Sequence, residues 1–151
     1  MPEFPATFVL SNEVSHARQQ KLPIVALEST VITHGLPRPQ NLTLAQDMEQ
    51  TVRSENAIPA TIAILDGKIQ VGISSDQLEQ IANADDAIKV SLRDIATALV
   101  KRIPGGTTVA GTMYIAEKAG IRVFATGGIG GVTKKPVSMS PPICRRWLPS
   151  P

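Results

Sequence analysis

Short apolar runs alternate along this chain with segments whose apolar residues recur at helical spacing. Pro23-Ile-Val-Ala-Leu-Glu-Ser is a continuous apolar run bounded by proline, which predicts a strand buried on both faces. Ile88–Val90 and Ile121–Thr126 predict two further strands. Leu10–Gln20 is weakly helical, and Ser75–Asn83 has the apolar spacing of a short amphipathic helix.

Glycine and proline indicate where these elements turn. Asp66-Gly67 separates two apolar runs and favours the two positive φ angles of a type I′ turn, which predicts a β-hairpin. The prolines at 37 and 39 predict a loop over His34–Gln40. Thr107–Ala119 is predicted to be a loop that runs into a helix, and Gly120 is predicted to end that helix.

Capping residues predict where two more helices begin. Asn41 is a favourable N-cap for a helix that should end near Asn56. Ser91, with Asp94 three residues later, resembles a capping pattern that opens a helix to about Arg102. Strands that alternate with helices predict an α/β fold with a mixed, largely parallel sheet flanked by helices and interrupted by one hairpin.

Residues 133–151 differ in composition from the rest of the chain. They contain five prolines, four basic residues and no acidic residue, together with the only Cys and the only Trp. Proline removes a backbone donor and fixes φ, so this stretch cannot sustain a helical or strand period. The predicted organisation is therefore a domain over residues 1–132 and a disordered tail over residues 133–151.

Charge and hydropathy exclude several classes of protein. Residues 1–132 hold 11 of the 15 basic residues and all 13 acidic ones, so the net charge of +2 is due to the tail. Aromatic residues make up only 3% of the chain, which argues against a nucleic-acid-binding face. No apolar run is long enough to span a membrane, and the N-terminus has no basic segment of a secretory signal. We expect a cytoplasmic protein.

Glycines at 127, 128, 130 and 131 follow a predicted strand, where a backbone can approach an anion such as phosphate closely. A structural turn explains the same pattern equally well, because the spacing is not that of a dinucleotide-binding motif. Thr107-Thr108 offers hydroxyl and backbone N–H groups to an anion, and the alternative is an ordinary N-cap.

Three ionisable side chains are candidates for chemistry. Glu28 ends an apolar strand, where a carboxylate needs partners or a function in proton transfer, although it could also cap the next turn. His34 could act as a base, but a lone loop histidine is usually solvated. Lys89 could pair with a phosphate or a carboxylate, and lysines at strand edges are also commonly solvated.

Six segments together resemble a known enzyme family. They are Val25-Ala-Leu-Glu-Ser-Thr-Val-Ile-Thr-His-Gly-Leu-Pro, Pro39-Gln-Asn, Pro59-Ala-Thr-Ile-Ala-Ile, Lys89-Val-Ser-Leu-Arg-Asp, Gly106-Thr-Thr-Val-Ala and Phe124-Ala-Thr-Gly-Gly-Ile-Gly-Gly-Val. In this order they resemble the N-terminal part of the pseudouridine-5′-phosphate glycosidases, also called the indigoidine-synthesis A-type family. The resemblance runs from about residue 10 to Val132.

The resemblance implies reversible cleavage of the C–C bond between uracil and ribose 5-phosphate, with a divalent metal, typically manganese, in a homotrimer. Ordinary glycosidases protonate a heteroatom, whereas here the leaving atom is carbon. In the family a lysine forms an imine with the opened sugar and a glutamate transfers the proton. By position, Glu28 would transfer the proton, Lys89 would bind substrate and Val109 would line the substrate pocket.

Two blocks of the family's pattern are absent from this sequence: Asp-Ile-Ser-Ala-Asp-Leu, with the metal-binding aspartate, and Ala-Gly-Ala-Lys, with the imine-forming lysine. Read one base earlier, codons for residues 139–144 can spell Asp-Val-Ser-Ala-Asp-Leu. We therefore expect an out-of-frame tail, a fold truncated before it is complete, and an inactive chain. The alternative is a non-catalytic remnant that binds a sugar phosphate or associates with full-length subunits.

Overall fold

A computed structural model describes residues 5–129, and within this range seven strands and six helices form an α/β fold. The strands are β1 (Phe8–Leu10), β2 (Ile24–Leu27), β3 (Ile58–Leu65), β4 (Lys68–Val71), β5 (Ile88–Val90), β6 (Gly105–Thr107) and β7 (Val123–Ala125). The helices are α1 (Asn12–Gln19), α2 (Thr30–His34), α3 (Gln40–Ser54), α4 (Ser75–Ala82), α5 (Ile95–Lys101) and α6 (Val109–Ala119). None of these helices is long and apolar enough to cross a membrane.

The sheet is mixed and largely parallel, as predicted. Strand order is β1-β4-β3-β2-β7, and β6 branches from β3 and pairs with β5. The pairs β1–β4, β2–β3, β2–β7 and β5–β6 are parallel, whereas β3 runs antiparallel to β4 and β6. The first half of β3 pairs with β2 and its second half pairs with β6. Strands β2 and β6 therefore approach each other along β3 from opposite directions.

The predicted hairpin is confirmed. Leu65 lies opposite Lys68, and Asp66 and Gly67 adopt φ angles of 53° and 72° between them. These values are those of a two-residue type I′ turn, whose twist matches that of the flanking strands.

Alternate side chains of β3 reach two different parts of the core. Ile62 and Ile64 belong to a cluster that includes residues of α1, α5 and α6. Ala63 and Leu65 belong to a second cluster with residues of α2, α3 and α4. All four side chains are fully buried, so helices cover the sheet on both faces. This arrangement explains the continuous apolar sequence of the central strand.

Two short elements correct the predicted loops. His34 is the last residue of α2, so the predicted His34–Gln40 loop begins one residue too early. Thr107 ends strand β6 instead of lying in a loop, and α6 begins two residues later. Gly120 ends α6 in the left-handed conformation, with φ 74°, as predicted.

The predicted caps at Asn41 and Ser91 are wrong. Asn41 lies inside α3, where its buried side-chain amide donates to the carbonyl oxygens of Ile32 at 2.9 Å and Ala82 at 2.8 Å. It therefore ties α3 to α2 and α4. Helix α5 begins only at Ile95, because the Asp94 carboxylate accepts the backbone N–H of Ser91 at 3.1 Å and holds a turn before the helix.

Candidate active site

Glu28 and Thr126 meet where two neighbouring parallel strands end. Leu27 lies opposite Ala125 in the β2–β7 register, so the next residue of each strand is also a neighbour. The Thr126 hydroxyl donates a hydrogen bond to Oε1 of Glu28, and Glu28 is half-buried. This bond, rather than a bond to the following turn, is what the carboxylate forms among residues 5–129. The carboxylate is thus positioned but remains accessible.

The hydroxyl of Thr126 also contacts the glycine run. The N–H of Gly128 donates to Thr126 Oγ1 at 3.3 Å, and the carbonyl oxygen of Gly128 lies 3.2 Å from the same atom. A Cβ added at Gly127 or Gly128 would meet no described atom within 4 Å, and neither residue has a positive φ. Packing and backbone strain therefore do not explain these two glycines. Gly130 and Gly131 lie outside the described residues.

A buried set of hydroxyl groups joins the ends of β2 and β6. The carbonyl oxygen of Ile62 accepts from the hydroxyl of Ser29 at 2.5 Å and from that of Thr107 at 2.7 Å. The backbone N–H of Thr107 donates to Ser29 Oγ at 2.8 Å. Because the Thr107 hydroxyl proton is used on Ile62, Thr112 donates to Thr107 Oγ1 at 2.8 Å. We call this arrangement the Ser29–Thr107 junction.

Helix α6 begins directly after this junction. The side chain of Thr108 accepts the N–H of Gly111 at 3.3 Å, so Thr108 is an N-cap, which was one of the two interpretations of the Thr107-Thr108 pair. Val109 is the first residue of α6 and is half-buried. Glu28 directly precedes Ser29 in the chain, and Val109 follows Thr107 by two residues, so both lie next to hydrogen-bonded residues of the junction.

Lys89 and His34 form a second part of the site. Lys89 is exposed on β5 and lies opposite Gly106 of β6. Helix α2 packs on β6 so closely that a Cβ at Gly106 would lie 2.3 Å from Thr33 Oγ1, which requires glycine at this position. The Thr30 hydroxyl fixes the contact by donating to the carbonyl of Gly106 at 2.9 Å.

This packing places His34 within the electrostatic influence of Lys89. Burial and then the positive charge of Lys89 lower the pKa of His34 below its ordinary value of 6.5. The His34 imidazole is therefore neutral at neutral pH, and its Nδ1 lies 2.7 Å from Thr33 Oγ1. An ammonium group and a neutral imidazole near each other can pair with and hydrogen-bond to an anionic ligand.

The three residues predicted for the site are arranged around the Ser29–Thr107 junction. Glu28 precedes Ser29, Val109 lies two residues after Thr107, and Lys89 lies opposite the residue before Thr107. Sequence analysis missed Ser29 and Thr126. Thr126 directly follows a predicted strand, which is a position where functional side chains occur. Its contact with Glu28 could not be predicted, however, without knowing that β7 lies beside β2.

The described residues do not supply a metal site. Within residues 5–129, no three side chains of His, Cys, Asp or Glu form a group that could hold an ion. The donor set for manganese is not provided by this part of the chain. Manganese therefore stays a prediction from the resemblance.

Sequence comparison identifies relatives of this chain. Residues 13–140 match the model of the family described as indigoidine synthase A like protein. A pseudouridine-5′-phosphate glycosidase of Geobacillus kaustophilus is 54% identical over 124 residues, which are 82% of this chain and 41% of that protein. The enzyme of the same name from Staphylococcus aureus is 54% identical over 124 residues, covering 82% and 40%. The chain spans about two-fifths of the length of these relatives.

Two solved structures share the fold. The prealnumycin C-glycosynthase AlnA, determined in complex with ribulose 5-phosphate, superposes with a TM-score of 0.75 at 43% identity. The match covers 85% of this chain and 41% of that one. An indigoidine synthase A-like protein of Thermotoga maritima has a TM-score of 0.72 at 30% identity, with coverages of 87% and 44%.

Proposed function

This chain belongs to the indigoidine synthase A-like family, and from that membership we propose that it acts in pseudouridine-5′-phosphate glycosidase chemistry. The reaction is the reversible cleavage of the C–C glycosidic bond of pseudouridine 5′-phosphate to uracil and ribose 5-phosphate. The names of the relatives support this reaction. Because the chain covers about two-fifths of their length, the proposal concerns the activity of the whole protein.

The observation that carries the proposal is the Glu28 carboxylate held by Thr126 at the strand ends. When the bond between the sugar and the base breaks, the base carbon that leaves must receive a proton. A carboxyl group that is positioned and only half-buried can deliver that proton and recover it in the reverse reaction. Thr126 has the role of a positioning residue, since its hydroxyl orients the carboxylate.

The side chains of Lys89, His34 and Val109 support binding of the sugar phosphate. Lys89 carries a positive charge beside the neutral imidazole of His34, which suits a phosphate or sugar hydroxyl groups. Val109 would line the pocket at the start of α6. The sugar phosphate bound to the C-glycosynthase AlnA is the same class of ligand.

The imine-forming lysine and the metal-binding aspartate have no assigned position in this sequence. Manganese, a homotrimeric assembly and a cytoplasmic location remain proposals that follow from the family resemblance. Non-catalytic binding of a sugar phosphate, or association with full-length subunits, is the alternative function, because the chain covers only part of its relatives.

A chimera tests whether this chain supplies the catalytic carboxylate. Residues 1–129 would replace the matching part of the Geobacillus kaustophilus relative, and the 151-residue chain would be assayed beside it. We expect the chimera to release uracil from pseudouridine 5′-phosphate. The 151-residue chain alone should release none and form no borohydride-reducible adduct with the substrate, because its sequence contains no Ala-Gly-Ala-Lys block.

Two results would contradict this proposal. A chimera that unfolds cooperatively but releases no uracil would show that residues 1–129 cannot provide their part of the site. A borohydride-trapped adduct with the 151-residue chain would show that one of its own lysines forms the imine.

A further inference from the structure

A cleft of about 530 Å³ is lined by residues other than those of the candidate active site. It lies between the beginnings of α1 and α4 and the second half of α3, beside strands β3 and β4. Its lining contains neither Glu28, Lys89 nor Val109. Its lining includes the half-buried side chain of Glu49 of α3 and the buried side chain of Gln70 of β4.

Glu49 brings a carboxylate without a direct ion pair into this cleft. It accepts a hydrogen bond from the Thr61 hydroxyl at 2.5 Å, and burial raises its pKa above the ordinary value of 4.5. The nearby guanidinium of Arg53 is bonded through both terminal nitrogens to the carboxylate of Glu13, with one distance of 2.9 Å. The cation of the cleft is therefore already paired with Glu13, and Glu49 is left without a direct ionic partner.

Gln70 is the second polar group. The residue is only 9% exposed, and its side-chain amide forms no hydrogen bond within residues 5–129. Fully enclosed side-chain nitrogen and oxygen atoms in this part of the chain all have partners. The amide of Gln70 consequently reaches the open space of the cleft, where a ligand can satisfy it.

The balance of charge decides which ligand fits. Glu13 and Glu49 contribute two negative charges to the lining, and Arg53 contributes one positive charge. The beginnings of α1 and α4 also line the cleft, and there Ser11 and Ser74 each accept one of the first-turn N–H groups. Among the charged side chains of the lining, Glu49 is the one without a direct ion pair, and a cation would neutralise its carboxylate.

We propose that this Glu49 cleft binds a small organic cation that carries a primary ammonium group. The ammonium donates to the carboxylate of Glu49 and to the amide oxygen of Gln70. Its alkyl part lies against the apolar lining, which includes Leu10, Pro59 and Ile73. The three N–H donors of an ammonium match the free acceptor positions of these two side chains.

The test is an NMR titration of the 151-residue chain with n-butylammonium. Saturable shifts are expected for the Gln70 side-chain amide and for backbone amides around the cleft. Matched titrations use n-butanol, which has the same length without charge, and butyrate, which reverses the charge. Glu49→Gln keeps the size of the side chain and should weaken ammonium binding by about tenfold or more.

Glu55→Gln is the matched control, because Glu55 lies at the exposed end of the same helix and outside the cleft. It should leave the affinity unchanged. Equal weakening by both substitutions would overturn the proposal, and so would saturable binding of butyrate or equal binding of n-butanol. The absence of saturable shifts with n-butylammonium would also overturn it. Folding of each variant is checked from the dispersion of its amide spectrum.

Discussion

Two half-buried glutamates in this protein accept a hydrogen bond from a threonine, yet their surroundings differ. Glu28 meets Thr126 after the ends of two parallel strands. Glu49 projects from the middle of α3 onto Thr61, which is 1% exposed on the central strand. The first pair lies beside a glycine-containing segment, and the second lies over the buried central strand of the sheet.

The comparison shows that a glutamate–threonine pair does not by itself define an active site. Near Glu28, the Ser29–Thr107 junction brings a helix start and, across β6, an ammonium group into the same region. Near Glu49 there are instead an arginine paired with Glu13 and the side-chain amide of Gln70, which is open to the cleft. The first set of groups suits proton transfer on a bound sugar phosphate, and the second suits binding of a cation.

The largest effect on the stability of the fold is expected at Gly106. A Cβ there would lie 2.3 Å from Thr33 Oγ1 and 2.9 Å from the carbonyl oxygen of Ser29. Gly106→Ala should lower the free energy of unfolding by about 1–3 kcal/mol through overpacking. Gly127→Ala is the control, because its Cβ would meet no described atom within 4 Å, and it should change stability by less than about 0.5 kcal/mol.

Urea denaturation of both variants measures this difference. Equal destabilisation by the two substitutions would show that the close contact of α2 with β6 is not what holds the junction together.

A moderate effect on the turnover number is expected from substitution of Thr126. Thr126→Val in the chimera removes the hydroxyl that orients Glu28, and the turnover number should fall about tenfold, the value of one hydrogen bond to a charged group. KM should stay near that of the parent, and Thr126→Ser should restore turnover. Thr61→Val removes the corresponding hydroxyl from the other pair and should leave turnover unchanged.

Steady-state kinetics with pseudouridine 5′-phosphate separate these outcomes. A loss of turnover in Thr126→Ser equal to that in Thr126→Val would refute positioning by the hydroxyl.

The smallest effect, a small change in the free energy of unfolding, is expected from Glu49→Gln. Because burial raises the pKa of Glu49, this group stabilises the fold below pH 4.5, and its contribution is lost as the pH rises through the raised value. The variant should therefore be more stable than the parent at neutral pH. The gain should be only a few tenths of a kcal/mol, since part of the carboxylate remains hydrated.

The free energy of unfolding of variant and parent is measured as a function of pH, and the difference should shrink as the pH falls through the raised pKa of Glu49. Arg53 lowers the pKa of Glu13, so that group stabilises above its ordinary pKa and loses its effect as the pH falls. The Glu13–Arg53 pair is present in both proteins, so the difference between them reports mainly the titration of Glu49. A gain that grows towards acid pH would contradict the assignment to Glu49.

Local signals in the sequence were sufficient for much of the fold. Asp66-Gly67 specifies its own turn, and the helix over Ser75–Ala82 carries a complete capping box between Ser74 and Gln77. These elements are determined by neighbouring residues, so a single sequence is enough to predict them.

Elements stabilised by distant contacts could not be predicted in this way. Helix α2 consists largely of β-branched residues, which favour strands, and it forms because it packs on β6 and is tied to α3 by Asn41. Strand β6 begins with two glycines, so it lacks an apolar period, and those glycines are needed where Val90 and Thr33 approach. Glu28 was recognisable from its segment, whereas its partner Thr126 depends on the order of strands in the sheet.

The rate of uracil release by Glu28→Gln and Glu49→Gln variants of the chimera tests most directly whether Glu28 transfers the proton. Both substitutions remove a half-buried carboxylate that accepts a hydrogen bond from a threonine hydroxyl. We expect a loss of about 10²–10⁴-fold for Glu28→Gln, the range of general acid–base catalysis, and a rate close to that of the parent for Glu49→Gln. Equal rates for the two variants, or a greater loss for Glu49→Gln, would contradict the assignment of proton transfer to Glu28.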